Sequence, residues 1–167
     1  IRRQRQRCIR HSYDCTLATY LTGRPSKMVY SREESFLSTT KRHSYIIEHT
    51  LGAMSDGTLI AAKVRIWADT GAYASFGPSV IARAAVHAIG PYEIPHVLVE
   101  AYCVYTNNPV CGAMRGFGVP QVAIAHEAQI DLLAEQLGID PIEIRRRNFL
   151  KRGSCTITGQ KLEHSVG

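Results

Sequence analysis

Gly112-Ala113-Met114-Arg115-Gly116-Phe117-Gly118, running on into Val119-Pro120-Gln121-Val122-Ala123-Ile124-Ala125-His126, is the stretch on which the fold turns. Its glycines break both the helical and the strand period, so residues 111–118 read as a loop or tight turn. From about Pro120 the pattern changes. Val122, Ala125, Ile130, Leu133 and Leu137 can share one apolar face, which predicts a helix over 120–137 that stops at Gly138. A second helix starts at Asp140-Pro141, an N-cap followed by a proline whose missing N–H is harmless in the first turn. It runs into Arg145-Arg146-Arg147-Asn148, cations that suit the negative end of the helix dipole. C-capping on a solvated face accounts for them.

Working toward the N-terminus, residues 97–105 read as a strand. Residues 79–87 read as a helix with Ser79 as its N-cap, and residues 71–78 as an irregular loop. Residues 45–51 and 58–68 are the two strands of a hairpin, joined by the turn chemistry of Gly52-Ala53-Met54-Ser55-Asp56-Gly57. Residues 27–30 read as a short strand, and 15–21 as the end of a helix stopped by Gly23 and Pro25. Strands and helices mix without strict βαβ alternation, so the expected class is α+β. Several apolar segments, such as residues 59–66, are expected to pack on parts outside this chain.

The 167 residues, 45% hydrophobic and 20% charged, have the balance of one globular domain. No apolar run approaches the roughly 20 residues that cross a bilayer, and no apolar segment follows the arginine-rich start as in a signal peptide. A cytoplasmic protein without a membrane partner is expected. The net charge of +6 raises the possibility of nucleic-acid binding. Its distribution opposes it: without residues 1–14, which hold five arginines and Asp14, 15 basic side chains face 13 acidic ones. The five cysteines are odd in number and form no C-x-x-C pair, so reduced thiols are expected rather than a zinc site or a disulfide framework.

Two features suggest chemistry. Around Arg115 and Phe117, glycines let the backbone approach a bulky group closely, and amides plus a guanidinium suit an anionic or oxygen-rich ligand. An ordinary glycine-rich turn before a helix satisfies the same composition. Arg83 is a lone arginine in the apolar run Ile81-Ala82-Arg83-Ala84-Ala85-Val86-His87. It either snorkels over the core or aims a fixed fork of donors at a substrate oxygen or ring nitrogen. His87 and His126 lack metal-ligand spacing and read as structural. No nucleophilic triad, P-loop or dinucleotide fingerprint is present.

The loop at 112–118 resembles the A-x-R-G-F-G segment of the molybdenum hydroxylases, the xanthine dehydrogenase and aldehyde oxidase family. The run Asp131-Leu132-Leu133-Ala134, Leu137-Gly138-Ile139-Asp140-Pro141 and Arg145-Arg146-Arg147-Asn148 follows the family's order. So do Thr22-Gly23-Arg24-Pro25, Ser31-Arg32-Glu33-Glu34-Ser35, Lys41-Arg42-His43, Asp69-Thr70-Gly71-Ala72-Tyr73, Pro91-Tyr92-Glu93-Ile94-Pro95, Thr106-Asn107 and Gly159-Gln160-Lys161-Leu162. The similarity covers about residues 15–163 and is nearest in kind to bacterial xanthine dehydrogenase-type subunits.

The resemblance implies part of a molybdopterin-binding domain. In it Arg115, with Gly116, contacts the cofactor near molybdenum without ligating it. Phe117 packs on a flat heterocycle, and Arg83 binds the oxygen of a purine, which tilts the substrate toward xanthine or hypoxanthine over aldehydes. Met114 stands where animal purine oxidases have phenylalanine. The implied cofactor is molybdenum–molybdopterin in its cytosine dinucleotide form, with iron–sulfur clusters and FAD on partner subunits. The family's general-base glutamate falls beyond residue 167, so no catalytic residue is expected in this chain, and the chain alone is expected to be inactive.

One departure stands at the N-terminus. The family's G-G-x-F-G-G-K-(D/E) loop falls where this chain reads Ile1-Arg2-Arg3-Gln4-Arg5. Codons TTC GGC GGC AAA GA, read one base earlier after an A, become ATT CGG CGG CAA AGA and encode that pentapeptide. Residues 1–14 are therefore expected to be an aberrant or disordered out-of-frame segment, with residues 15–167 the partial cofactor-binding domain. The competing readings are a basic nucleic-acid-binding module acting through Arg2, Arg3, Arg5, Arg7 and Arg10, and a pseudogene product without function.

Overall fold

A computed structural model describes residues 5–166, with side chains from Ser12 onward. The chain forms two compact units, residues 1–41 and 42–167. In the first, α1 (Arg5–Thr22) ends at Gly23, whose φ of 63° lets its N–H bond the Thr19 carbonyl at 2.9 Å. Of the expected aberrant segment 1–14, residues 1–4 lie outside the described residues, and α1 begins at Arg5. The helix α2 (Arg32–Ser38) is set by a reciprocal capping box. The Ser31 Oγ accepts from the Glu34 N–H at 3.2 Å, and the Glu34 Oε2 accepts from the Ser31 N–H at 2.8 Å. The strand expected over 27–30 is not formed: Val29 is exposed, and no strand lies in this unit to supply a ladder partner among the described residues.

The second unit is a three-stranded sheet covered on one face by helices. Its strands are β1 (Tyr45–Ala53), β2 (Leu59–Gly71) and β3 (His96–Tyr105), in that order across the sheet. The first pair is the expected antiparallel hairpin, and the second is parallel. A parallel pair needs a crossover, and α3 (Gly77–Val86) supplies it. Residues Ala62, Val64, Ile66 and Ala68 alternate onto the covered face, where Ile81 and Ala84 of α3 and Val122 of α4 (Val119–Leu137) meet them. Val64 and Ile66 are fully buried, each contributing about 1.5–3 kcal/mol of hydrophobic stabilisation. The inner face of segment 59–66 therefore packs within this chain, because strand alternation turns Ala62, Val64 and Ile66 to the helices, while Ile60 stays exposed.

Two helix expectations are corrected in detail. α3 begins two residues before Ser79, with Phe76 at the N-cap and Pro78 in the first turn, where proline's missing N–H leaves no bond broken. The helix α5 (Pro141–Asn148) does cap on Asp140, whose Oδ1 accepts from the Ile142 and Glu143 amides at 2.8 and 3.1 Å. Its arginines, however, are not all on a solvated face. Arg145 is 20% exposed and pairs with Asp131 at 2.8 Å and Glu127 at 2.9 Å, because α5 folds back against α4. The buried stripe of α4 is Val122, His126, Ile130 and Ala134, spaced by four, and Gly138 closes the helix in the left-handed region.

One motif residue proves to be a clamp. Asn148 is buried; its Oδ1 accepts from the Leu59 N–H at 2.8 Å, and its Nδ2 donates to the Gly57 and Ile144 carbonyls, each at 2.8 Å. This ties the end of α5 to the turn of the β1–β2 hairpin.

Candidate functional site

The loop after β3 folds back over the start of α3. Gly116, Phe117 and Gly118 have φ of 90°, 51° and 94°, three successive left-handed residues. Only glycine adopts this readily, and at Gly118 there is a second reason. A Cβ there would lie 2.5 Å from the Val80 carbonyl oxygen and 3.0 Å from the Ala84 Cβ, so the missing side chain is what lets the loop seat on α3. Phe117 then meets Phe76 edge to face, with ring centroids 6.3 Å apart.

Arg42 anchors the loop from the β1 side. Its Nη2 donates to the Arg115 carbonyl at 2.7 Å, and its Nη1 to the Gln121 Oε1 at 3.4 Å. Gln121 in turn donates to the His43 carbonyl at 3.2 Å. The Arg115 side chain itself is left exposed, with no hydrogen-bond or ion-pair partner among the described residues. The amides of Arg115 and Gly116 likewise have no acceptor among them.

Arg83 lies on α3 beside Ala84, the residue that touches Gly118, and its guanidinium is also exposed and unpaired among the described residues. The loop and α3 thus bring Phe117 and the helix that carries Arg83 into one assembly. His87, one turn further, is neutral-leaning: burial lowers its pKa, and the Arg83 charge lowers it further.

Behind the loop lie polar groups without partners. Both ring nitrogens of His43 and the Tyr45 hydroxyl are buried and unbonded among the described residues. Burial lowers the pKa of His43, and it pushes the Tyr45 phenol up to about 12. Buried polar groups are nearly always satisfied in the working state. The exposed guanidinium and the two open amides on one glycine loop fit a polar, oxygen-rich ligand, while the His43 and Tyr45 atoms lie closed off behind it.

Asp69 holds the neighbouring loops. Its Oδ1 accepts from the Thr106 hydroxyl at 2.6 Å and the Gly71 N–H at 2.8 Å, and its Oδ2 accepts from the Asn108 side chain. The bond from Thr106, then those from Asn108 and Gly71, hold the carboxyl below its ordinary range. The Asp69 and Thr106 motifs, far apart in sequence, are one cluster. Neither Phe76 nor Tyr45 stands out in the sequence. The Lys41-Arg42-His43 motif marks Arg42, but pairing it with a carbonyl 73 positions away needs the fold.

His126, in the buried stripe of α4, stands 3.4 Å from Glu127 Oε1. Burial lowers its pKa and so disfavours the charged form, against the pull of the Glu127 carboxylate. Tyr92 donates to Glu127 at 2.9 Å and stacks on Phe149. A Cβ on Gly90 would strike the His126 ring at 2.6 Å. These contacts support the structural reading of His126.

Among the described residues no helix is long and apolar enough to cross a membrane. Residues 4–149 match the molybdopterin cofactor-binding domain family. The chain is 54% identical over 153 residues to the nicotinate dehydrogenase large molybdopterin subunit of Eubacterium barkeri, covering 92% of this chain and 36% of that protein. It is 40% identical over 152 residues to the xanthine dehydrogenase molybdenum-binding subunit of Escherichia coli O157:H7, covering 90% and 20%. Among solved structures, the aldehyde oxidoreductase of Desulfovibrio gigas superposes with a TM-score of 0.75 at 36% identity, over 79% of this chain and 15% of that one. Quinoline 2-oxidoreductase of Pseudomonas putida 86 gives 0.74 at 34% identity, over 86% and 19%. The chain thus spans about a third or less of the length of these relatives. The fold, the glycine loop and these matches agree that the chain belongs to the molybdopterin cofactor-binding domain family of the molybdenum hydroxylases, the oxidoreductases of xanthine dehydrogenase and aldehyde oxidoreductase type.

Proposed function

We propose that this chain forms the substrate-facing side of a molybdenum hydroxylase site that oxidises flat N-heterocycles, purines foremost. The observation that carries the reading is the seating of the glycine loop on α3, which joins Phe117 to the helix bearing an unpaired Arg83. The names of three relatives, for nicotinate, xanthine and quinoline, supply the same substrate class.

When bound, molybdenum–molybdopterin supplies the oxidative hydroxylation chemistry. The chain's own residues bind and orient. Arg115 and the amides of Arg115 and Gly116 hold oxygen atoms of the cofactor. Phe117 packs on the heterocycle and fixes its plane at little entropic cost. Arg83 donates to a ring oxygen or nitrogen and stabilises the negative charge that builds on the ring. The cofactor's cytosine dinucleotide form, iron–sulfur and FAD-bearing partner subunits and a cytoplasmic location belong to the same proposal; the name of one relative as a large molybdopterin subunit supports the existence of partner subunits.

The test is Arg83→Ala and Arg83→Lys in the assembled enzyme containing this chain. The kcat/KM for hypoxanthine should fall on the order of 100-fold in Arg83→Ala, with a much smaller change for benzaldehyde, which has no ring carbonyl. Equal losses for both substrates would contradict the role of Arg83.

A further inference from the structure

Among the described residues, two that are not glycine have positive φ: Ser75 at 44° and Phe117 at 51°. They stand on either side of a single contact. Ser75 directly precedes Phe76, and Phe76 meets the Phe117 ring edge to face at 6.3 Å and an interplanar angle of 67°. Left-handed backbone at a non-glycine residue is unfavourable and persists where its surroundings over-determine it. Here one strained residue carries a ring of the pair and the other directly precedes its partner.

The Phe76 ring is not a core ring. It is 47% exposed, although it sits at the N-cap of α3 without capping the helix through its side chain. Thr70 and Asp69 hold its loop. The Thr70 hydroxyl lies 3.2 and 3.1 Å from the Tyr73 and Ala74 carbonyls, and Asp69 pins Gly71. A half-exposed aromatic held by two buttressed turns, in contact with the proposed substrate-packing ring, has the character of a recognition surface.

We infer that Phe76 is a specificity-determining residue: with Phe117 it forms a two-ring corner that selects flat heteroaromatic ligands over small aliphatic ones. The inference rests on the reading of Phe117 as a substrate contact and extends it to a residue on the opposite segment. A planar ring gains contact with both side chains, whereas a short aliphatic aldehyde reaches one. Phe76→Leu should therefore weaken a heteroaromatic ligand roughly three- to ten-fold, the scale of one aromatic contact, and leave an aliphatic one unchanged.

The experiment is 19F NMR of the full chain carrying fluorophenylalanine, which reports Phe36, Phe76, Phe117 and Phe149 separately, titrated with purine and with propionaldehyde. Purine should shift Phe76 and Phe117 together and spare Phe149, which stacks on Tyr92 elsewhere. Phe76→Tyr should keep the Phe117 response, and Phe76→Leu should weaken it. If purine shifts Phe117 but not Phe76, or binds Phe76→Leu as well as wild type, the inference is overturned while the Phe117 reading stands. If neither ring responds, both fall. The wild-type titration decides even if a variant does not fold.

Discussion

The Arg42 guanidinium holds the backbone carbonyl of Arg115 at 2.7 Å, 73 positions along the chain, and so ties the start of β1 to the loop that carries the proposed cofactor contacts. The bond positions Arg115 by its backbone and leaves its side chain available. Arg42→Ala should loosen residues 112–118, read as faster amide hydrogen exchange there with α5 unchanged. Arg42→Lys, with one compact donor in place of a fork, should restore part of the protection. Unchanged exchange in Arg42→Ala would remove Arg42 from the loop's support.

Asn148 makes three hydrogen bonds in a buried site, two of them to the β1–β2 hairpin region. Asn148→Ala should lower unfolding stability by about 2–4 kcal/mol, since it leaves the Leu59 N–H without an acceptor. Urea denaturation measures it; a loss under about 0.5 kcal/mol would show that water replaces the clamp.

Gly118 and Gly138 both have positive φ, but they differ in space. Nothing lies within 4 Å of a Cβ on Gly138, whereas one on Gly118 meets the Val80 carbonyl at 2.5 Å. Gly138→Ala should cost about 1 kcal/mol of backbone strain. Gly118→Ala should cost more and also shift the loop off α3. Equal melting temperatures for the two variants would refute close seating of the loop.

His49 is the strongest acid-side lever. Burial, then the neighbouring His126, lowers its pKa from 6.5 to about 4. Between those values the unfolded chain holds more protons than the folded one, so stability is complete above pH 6.5 and is lost as the pH falls toward 4. His43, His87 and His126 shift in the same direction. Melting temperature should drop from pH 7 to pH 5, and the slope should be shallower in His49→Leu. A parallel profile in the variant would acquit His49. Asp69, already below its ordinary range, acts only at more acid pH.

Much of this architecture is legible in the sequence because it is local. Alternation gives the hairpin, Gly138 and Asp140 mark helix ends, and the run from Arg115 to Gly118 marks the loop. Ser31 and Glu34 stand at capping-box spacing and so signal the short helix α2, although as a motif they serve only as a family mark. What stays hidden is long-range. No local pattern pairs Arg42 with Arg115, Phe76 with Phe117 or Asp69 with Thr106. Arg145 reads as a solvated cap because its acidic partners lie on another helix. The strand expected over 27–30 fails for the converse reason: its apolar residues suit a strand, but a strand exists only with a partner.

The most direct measurement is the molybdenum content of the assembled enzyme containing this chain, by elemental analysis, for wild type, Arg115→Ala and the exposed control Arg146→Ala. Wild type and Arg146→Ala should hold near-stoichiometric metal, and Arg115→Ala should show a clear loss with its fold intact by circular dichroism. Full metal retention in Arg115→Ala would contradict the assignment of the glycine loop to the cofactor.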